Sequence, residues 1–204
     1  MRRPAHVSET NSLKQRMKDG SPTQKGSVLF EFLEERGQGQ YDERVTQLQH
    51  ALQCAHLARQ NGRQYGSLSE DVTSALLHDL GHLFYNDTDK KYLADDINHE
   101  DLGADFLSDF FPDSVTVPIR LHVPAKRYLC TVDDAYHDCL SDASKRSLEV
   151  QGGVFSDTER AQFESTPHLQ RALELRRWDD AGKKQDLDVP GLDEYQDDVL
   201  RSLR

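Results

Sequence analysis

The residues of this chain best suited to chemistry are histidines and aspartates. The string His78-Asp79-Leu80-Gly81-His82 follows an apolar stretch, and two histidines four positions apart lie on one face if the helix continues. A carboxylate beside an imidazole at a helix end can reach the same metal ion. Such nitrogen and oxygen ligands suit zinc, iron or manganese. Taken alone, the string fits a metal site and a helix end with surface histidines equally well.

Other candidate ligands lie far along the chain. His50 stands between the apolar Leu48 and Leu52 of a predicted amphipathic helix, so it borders the buried face. Asp179 follows Leu175 and Trp178 near the end of a late helix. Together with the histidine and aspartate at 78 and 79, these residues form an ordered pattern, H…HD…D, that spans most of the sequence.

This pattern resembles that of the HD-domain superfamily, and the resemblance covers roughly residues 28–182. It implies an all-α fold, an HD-domain helical bundle with a central di-metal site. Two further histidines, His99 and His122, make the ligand set similar to that of the superfamily's mixed-valence di-iron oxygenases. The resemblance assigns six metal ligands. In that group one iron would be bound by His50, His78 and Asp179, the other by His99 and His122, with Asp79 bridging them.

Beyond the ligands, the chain looks like the phosphonate-cleaving members of that group, the PhnZ- and TmpB-type oxygenases, and more like the TmpB type. The resemblance places five residues at the substrate: His82, Lys126, Ser144, Ser147 and Arg176. Cations and hydroxyls suit a phosphonate dianion, although surface charge and helix capping are the ordinary roles of such residues. His82 would also be catalytic, and Tyr41 and Glu43 would gate an iron, although they are two positions apart here and three in the family pattern.

The resemblance implies cleavage of a carbon–phosphorus bond by O2, with two iron ions, Fe(II) and Fe(III), as cofactors. The predicted substrate is (R)-1-hydroxy-2-(trimethylammonio)ethylphosphonate, which would give glycine betaine and phosphate. Tyr41, Asp42, Tyr85 and Asp87 lie near the ligands in sequence and would suit a trimethylammonium group. The alternatives are the same reaction on 2-amino-1-hydroxyethylphosphonate, giving glycine and phosphate, a metal-dependent HD phosphohydrolase, a polyol oxygenase, or a signalling module without activity.

Composition narrows the class of protein. The 204 residues suit one domain, and the net charge of -11 argues against a nucleic-acid partner. No apolar run exceeds three residues, which argues against a membrane span. Cys54, Cys130 and Cys139 do not make an even disulfide set. We therefore predict a cytoplasmic protein with reduced thiols. The resemblance described above implies that its partner is a small organophosphonate.

The chain divides into two parts. Residues 1–26 hold six basic residues against Glu9 and Asp19 and no aromatic residue, which predicts a disordered basic leader before an oxygenase domain at 27–204. Apolar spacings of three and four predict helices throughout that domain. The first three end at glycines 37, 62 and 81, the third capped by Ser69, and later ones cover about 99–110, 115–123, 125–140, 141–151, 157–164, 168–180 and 192–203. Four histidines fit no pattern: His6, His56, His137 and His168.

Overall fold

The computed structural model describes residues 5–41, 44–62, 67–85 and 98–204. These residues form α-helices and short 3-10 helices, with no β-strand among them. The α-helices are α1 (Ala5–Asp19), α2 (Pro22–Arg36), α3 (Gln47–Asn61), α4 (Leu68–Leu77), α5 (His99–Leu107), α6 (Asp113–Val132), α7 (Asp134–Cys139), α8 (Asp142–Val150), α9 (Asp157–Glu164), α10 (Leu169–Ala181) and α11 (Gln196–Ser202); the 3-10 helices are Leu80–Phe84 and Leu192–Tyr195. The predicted all-α class is confirmed. Among the described residues, no helix is both long and apolar enough to cross a bilayer.

Local sequence fixes where the ligand-bearing helix α3 begins and ends. The Thr46 hydroxyl accepts a hydrogen bond from the Gln49 backbone N–H, and the Gln49 side chain accepts one from the Thr46 N–H. This capping box satisfies two donors that a helix start leaves unpaired. Gly62 ends the helix by donating its N–H to the Ala58 carbonyl. The cap therefore sets His50 one turn into α3.

One large apolar core joins most of the helices. Leu76, Leu77, Leu107, Phe111 and Ile119 are among its fully buried side chains, and each such burial contributes about 1.5–3 kcal/mol. Helix α4 packs against α3, α6, α10 and α11, while α6 also packs against α5 and α10. The helices that carry the candidate ligands therefore meet around the C-terminal end of α4.

Helix α1 overturns the prediction of a disordered leader for the residues it contains. Its Leu13 and Met17, one turn apart, are 4% and 0% exposed and belong to the main core. Its basic side chains find acidic partners, since Lys14 and Lys18 lie 2.8 and 3.3 Å from Asp109. The polar composition of this segment predicted disorder wrongly, because two apolar residues on one face are enough to pack a helix onto a core formed by other elements.

Helix α6 also differs from the sequence prediction. It runs unbroken for 20 residues and contains both Pro118 and Pro124. The sequence had predicted a break at residue 124, between helices at 115–123 and 125–140. An interior proline costs about 3 kcal/mol, but the buried face of α6 packs on α5 and α10, which offsets that cost. Continuity places His122 and Lys126 one turn apart on this buried face.

Both ends of α4 also differ from the sequence prediction. Ser67 rather than Ser69 stands at the N-cap of α4, and the helix ends at Leu77. After His78 and Asp79 the chain tightens into the 3-10 helix Leu80–Phe84 instead of stopping at Gly81. The next described helix, α5, begins at His99.

Candidate metal centre and active site

All six predicted metal ligands converge in one buried cluster. His50 comes from α3, His78 and Asp79 from the junction after α4, His99 from the start of α5, His122 from α6 and Asp179 from α10. The most exposed of them is only 7% accessible. Side chains spread over 130 positions, 50 to 179 in the sequence, thus meet in the interior.

Half of the cluster is built on His50 and His78. Their Nε2 atoms are 3.2 Å apart. Asp179 faces both rings, with Oδ1 3.3 Å from the His50 Nε2 and Oδ2 3.9 Å from the His78 Nε2. Two imidazoles and a carboxylate therefore surround a single point.

The other half is built on His99 and His122, whose Nε2 atoms are 3.1 Å apart. Asp79 Oδ1 lies 3.4 and 3.6 Å from these two nitrogens. Its second oxygen, Oδ2, lies 3.6 and 3.4 Å from the Nε2 atoms of His50 and His78. Asp79 thus presents one oxygen to each pair of histidines, as a bridging ligand would.

Backbone carbonyls orient three of the imidazoles. Each distance joins a ring Nδ1 atom to a backbone carbonyl oxygen. The oxygen of Gly182 lies 2.8 Å from His50, that of Ala75 lies 2.9 Å from His78, and that of Ile119 lies 2.7 Å from His122. A carbonyl oxygen only accepts, so Nδ1 carries the ring proton and donates it, and Nε2 keeps a lone pair. This is how histidine ligands of metals are usually held.

The donor set fits metal ions on chemical grounds. Two Nε2 lone pairs that face each other at 3.1–3.2 Å repel unless a positive charge lies between them. Each facing pair, with carboxylate oxygens beside it, offers nitrogen and oxygen ligands to such a charge. Each half of the cluster therefore offers ligands suited to a cation, and Asp79 lies between the two halves.

The surroundings shift the pKa values of the two histidines of the first pair in opposite directions. Burial lowers the pKa of His78. Burial also acts on His50, but the Cys54 thiol and the Asp179 carboxylate outweigh it and raise the pKa of His50. A metal ion bound at the Nε2 atom of His50 would compete with protonation of that nitrogen.

The carboxylates of the cluster remain ionised despite burial. Burial by itself opposes ionisation of Asp79 and Asp179. The pKa of Asp79 nevertheless lies well below its ordinary value because His78 is adjacent. Arg176 and Lys183 lower the pKa of Asp179 in the same way. Both aspartates are therefore charged and able to bind cations.

Three of the predicted substrate residues form one network beside the cluster. Lys126 is 3% exposed, and its Nζ donates to the Ser147 Oγ at 2.8 Å. Ser147 donates in turn to the Ser144 carbonyl at 3.0 Å. Burial, aided by the nearby Arg176, lowers the pKa of Lys126 to about 8. A buried ammonium and a hydroxyl thus lie together next to the ligand His122.

Arg176, also predicted to contact the substrate, binds carboxylates in this structure. Its Nη1 lies 2.7 Å from Asp179 Oδ2, while Nε and Nη2 bind Asp180. The guanidinium therefore holds a candidate ligand in place. Sequence reasoning missed a second such cation, Lys183, whose Nζ is 3.4 Å from Asp179 Oδ1. The available sequence signal was that Lys183 follows Asp179 by four positions, a spacing at which side chains near a helix end can meet.

An aromatic ring lies against each half of the cluster. His82 stacks on His99 with ring centroids 3.8 Å apart, and burial together with His99 lowers the pKa of His82 to about 3, so its ring is neutral. Tyr41 stacks on His50 at 3.8 Å and donates its hydroxyl to Asp179 Oδ1 at 3.3 Å. The predicted gate partner Glu43, like Asp42 and Asp87, lies outside the described residues.

Among the side chains that the structure describes, which do not include that of His6, the remaining histidines and thiols are separate from these contacts, with one exception. His56 bonds Gln60, and His168 lies in the left-handed region before α10. The three cysteines are free, as expected. The exception, which the sequence did not indicate, is buried Cys54, whose Sγ lies 3.7 Å from the His50 Nδ1.

Fold and site together define an HD-domain protein, and a model of the HD domain matches residues 48–129. The chain is 49% identical over 185 residues to a hydroxymethylphosphonate dioxygenase of Gimesia maris, covering 90% of each chain. It is 39% identical to a Leisingera caerulea dioxygenase of 1-hydroxy-2-(trimethylamino)ethyl phosphonate that forms glycine betaine, covering 84% of this chain and 88% of that one. An uncharacterized protein of Acanthamoeba polyphaga mimivirus is 34% identical, over 87% of this chain and 81% of the relative.

The chain therefore belongs to the HD-domain phosphonate dioxygenases. It is an oxygenase of phosphonate catabolism, and its histidine and aspartate clusters are suited to metal ions.

Proposed function

We propose that this enzyme cleaves the carbon–phosphorus bond of hydroxymethylphosphonate with O2 to give formate and phosphate. The reaction consumes one O2 for each bond: carbon rises from the alcohol to the carboxylic acid level, and phosphorus leaves as phosphate. Identity of 49% with a dioxygenase of that substrate supports this assignment. It departs from the trimethylammonio substrate expected from the sequence.

The 49% identity carries this choice of substrate, and the contacts of Tyr41 before substrate binds agree with it. One face of its ring stacks on His50, and the Lys183 ammonium lies 5.4 Å from the ring centroid. A tyrosine already occupied by a lysine does not offer its ring to a trimethylammonium group. Tyr85 is half-buried and packs on the main core. Among the described residues, the expected aromatic cage for such a cation is therefore not assembled.

The trimethylammonio compound remains the second candidate, because the Leisingera caerulea relative acts on it and is 39% identical. Asp42 and Asp87, the carboxylates expected to balance its charge, lie outside the described residues.

We assign two iron ions to the metal centre. His50, His78 and Asp179 would hold one, and His99 and His122 the other, with Asp79 reaching both. When bound, the irons supply the redox chemistry that O2 requires.

The chain's own residues bind and orient the substrate. The Lys126 ammonium offsets the phosphonate charge and fixes one of its oxygens by a charge-assisted hydrogen bond. Ser147 donates to a second oxygen when its hydroxyl turns away from the Ser144 carbonyl. Neutral His82 can accept a hydrogen bond from the C1 hydroxyl. Arg176 keeps Asp179 in position, so it serves the reaction through that ligand. Tyr41 touches both His50 and Asp179, which supports its proposed role as a gate that moves when substrate binds.

Oxygen uptake coupled to phosphate release tests the reaction. With hydroxymethylphosphonate we expect equal amounts of O2 consumed and of formate and phosphate formed, and a kcat/KM at least about tenfold above that for the trimethylammonio compound, a difference of about 1.4 kcal/mol. Phosphate release without O2 uptake would identify a phosphohydrolase and overturn the proposal. A preference for the trimethylammonio compound would overturn the substrate assignment alone.

Metal content tests the centre independently of activity. We expect two irons per chain by mass spectrometry and Mössbauer spectroscopy. In Asp79→Ala we expect iron content to fall and kcat to drop by at least about 100-fold. Loss of a residue that only hydrogen-bonds a metal ligand already lowers metal affinity or activity by about 10–100-fold. Asp101→Ala removes an exposed aspartate that pairs with Arg120 and serves as the control. Zinc, or one manganese, would contradict the assignment.

A further inference from the structure

A cavity of about 310 Å³ lies beside α8 and the end of α10. Three basic residues line it, Arg44, Lys183 and Lys184, together with the hydroxyl residues Ser141 and Ser144. One carboxylate, Asp180, also faces it, but Arg176 already binds that group. The cavity is therefore cationic, although the chain as a whole carries a net charge of -11.

Two chains of contacts join this cavity to the metal centre. Lys183 lines the cavity and also lies 3.4 Å from Asp179 Oδ1. Ser144 lines it too, and its carbonyl accepts from Ser147, which itself accepts from the buried Lys126. An anion in the cavity would thus meet Lys183 directly, and Ser144 and Ser147 would lie between it and Lys126.

We propose that this cavity is an anion vestibule, in which the phosphonate dianion first binds and from which phosphate leaves, with Lys183 linking it to the metal centre. The inference rests on the proposed function, because it takes its ligand from that reaction. The volume is at the lower end of the range of ligand pockets, about 300–1,000 Å³, which is sufficient for a small phosphonate.

Electrostatics explains why such a vestibule is needed. A dianion that approaches a chain of net charge -11 is repelled at long range. A local group of cations reverses the field at one place and can raise the association rate by 10-fold or more. Lys184 lines the cavity and is exposed to solvent, while Lys183 is only 14% exposed and also contacts Asp179. The two lysines thus act in sequence.

Steady-state kinetics of Lys184→Gln tests the vestibule. We expect KM for hydroxymethylphosphonate to rise about 3- to 10-fold with kcat changed less than about twofold, and a weaker salt dependence of kcat/KM. Arg146→Gln removes the same charge from an exposed position on α8 that does not line the cavity, and we expect neither effect. Equal KM and salt dependence in Lys184→Gln and the unmodified enzyme would overturn the proposal.

Lys183→Gln should raise KM and also lower kcat, because the contact with Asp179 is lost. Lys183→Arg keeps the charge and should restore most of the KM. If the arginine and glutamine variants behave alike, Lys183 does not link the vestibule to the centre through its charge.

Calorimetric titration with inorganic phosphate separates this inference from the proposed function. In the metal-loaded enzyme, Lys184→Gln should bind phosphate several-fold more weakly and Arg146→Gln should not. If the enzyme does not cleave phosphonates but phosphate affinity still depends on Lys184, the proposed function fails and the anion site stands. If phosphate affinity is unchanged in Lys184→Gln, the anion site fails.

Discussion

At the residue scale, burial brings the Lys126 ammonium close to deprotonation at physiological pH. Burial first, and Arg176 second, lower its pKa to about 8, from an ordinary value near 10.4. A metal cation held nearby would lower it further. The charge that offsets the phosphonate is therefore present below pH of about 8 and is lost as the pH rises through that value.

We accordingly expect kcat/KM for the phosphonate to fall above a pH of about 8 or slightly lower, as Lys126 loses its proton. Lys126→Arg keeps its charge, because the arginine pKa exceeds about 12, and should lack this break even if its activity is reduced. A pH profile of kcat/KM for both enzymes provides the measurement. The same break in Lys126→Arg would assign it to another group.

At the element scale, a backbone contact sets how the 3-10 helix and α5 meet. A Cβ at Gly81 would lie 2.0 Å from the His99 carbonyl oxygen, and Gly103 packs against the Gly81 nitrogen from the next turn of α5. This close approach lets His82, on the 3-10 helix, stack on His99. The glycine is required here for space.

Gly81→Ala should therefore force the two elements apart. We expect a loss of about 1–3 kcal/mol or more in the free energy of unfolding and weaker metal binding, because His99 is displaced. Gly191→Ala is the control: nothing lies within 4 Å of a Cβ there, and its φ of -68° suits alanine, so we expect a change below about 1 kcal/mol. Urea unfolding measures both. Equal stability of the two variants would contradict the role of the contact.

The sequence predicted best those features that depend on residue types at nearby positions or on their order along the chain. The helix ends at Gly37 and Gly62 carry their own signals, and the order of histidines and aspartates indicated a cluster that the structure brings together. Sequence reasoning failed where tertiary packing decides. Three features depend on neighbours distant in sequence, which no local pattern reports: the continuity of α6 through Pro124, the glycine contact at 81 and the position of Lys183.

At the scale of the whole molecule, charge and packing are distributed unevenly. Residues 1–26 carry six basic and two acidic side chains, a net of +4, so the remainder carries -11 - 4 = -15. Helix α1, which contains three of these basic residues, lies on this acidic body and inserts Met17 into its core. The N-terminal helix is therefore part of the folded domain and contributes to its stability.

Met17→Ala should cost about 2–5 kcal/mol of unfolding free energy, because it removes a fully buried side chain. Lys18→Ala removes an exposed partner of Asp109 and should cost less than about 1 kcal/mol. Chemical denaturation of both variants measures the difference. If Met17→Ala were as stable as Lys18→Ala, α1 would not be docked on the core in solution.

The wide separation of the ligands along the chain has a consequence for the lifetime of the enzyme. Ions that join His50 to Asp179 would close a loop of most of the domain, and a cross-link over such a loop removes conformational entropy from the unfolded chain. Binding energy of this kind adds to folding energy. With the two irons that we propose, cells short of iron would hold a protein that opens more often and is degraded sooner, so iron supply would set the amount of enzyme as well as its activity.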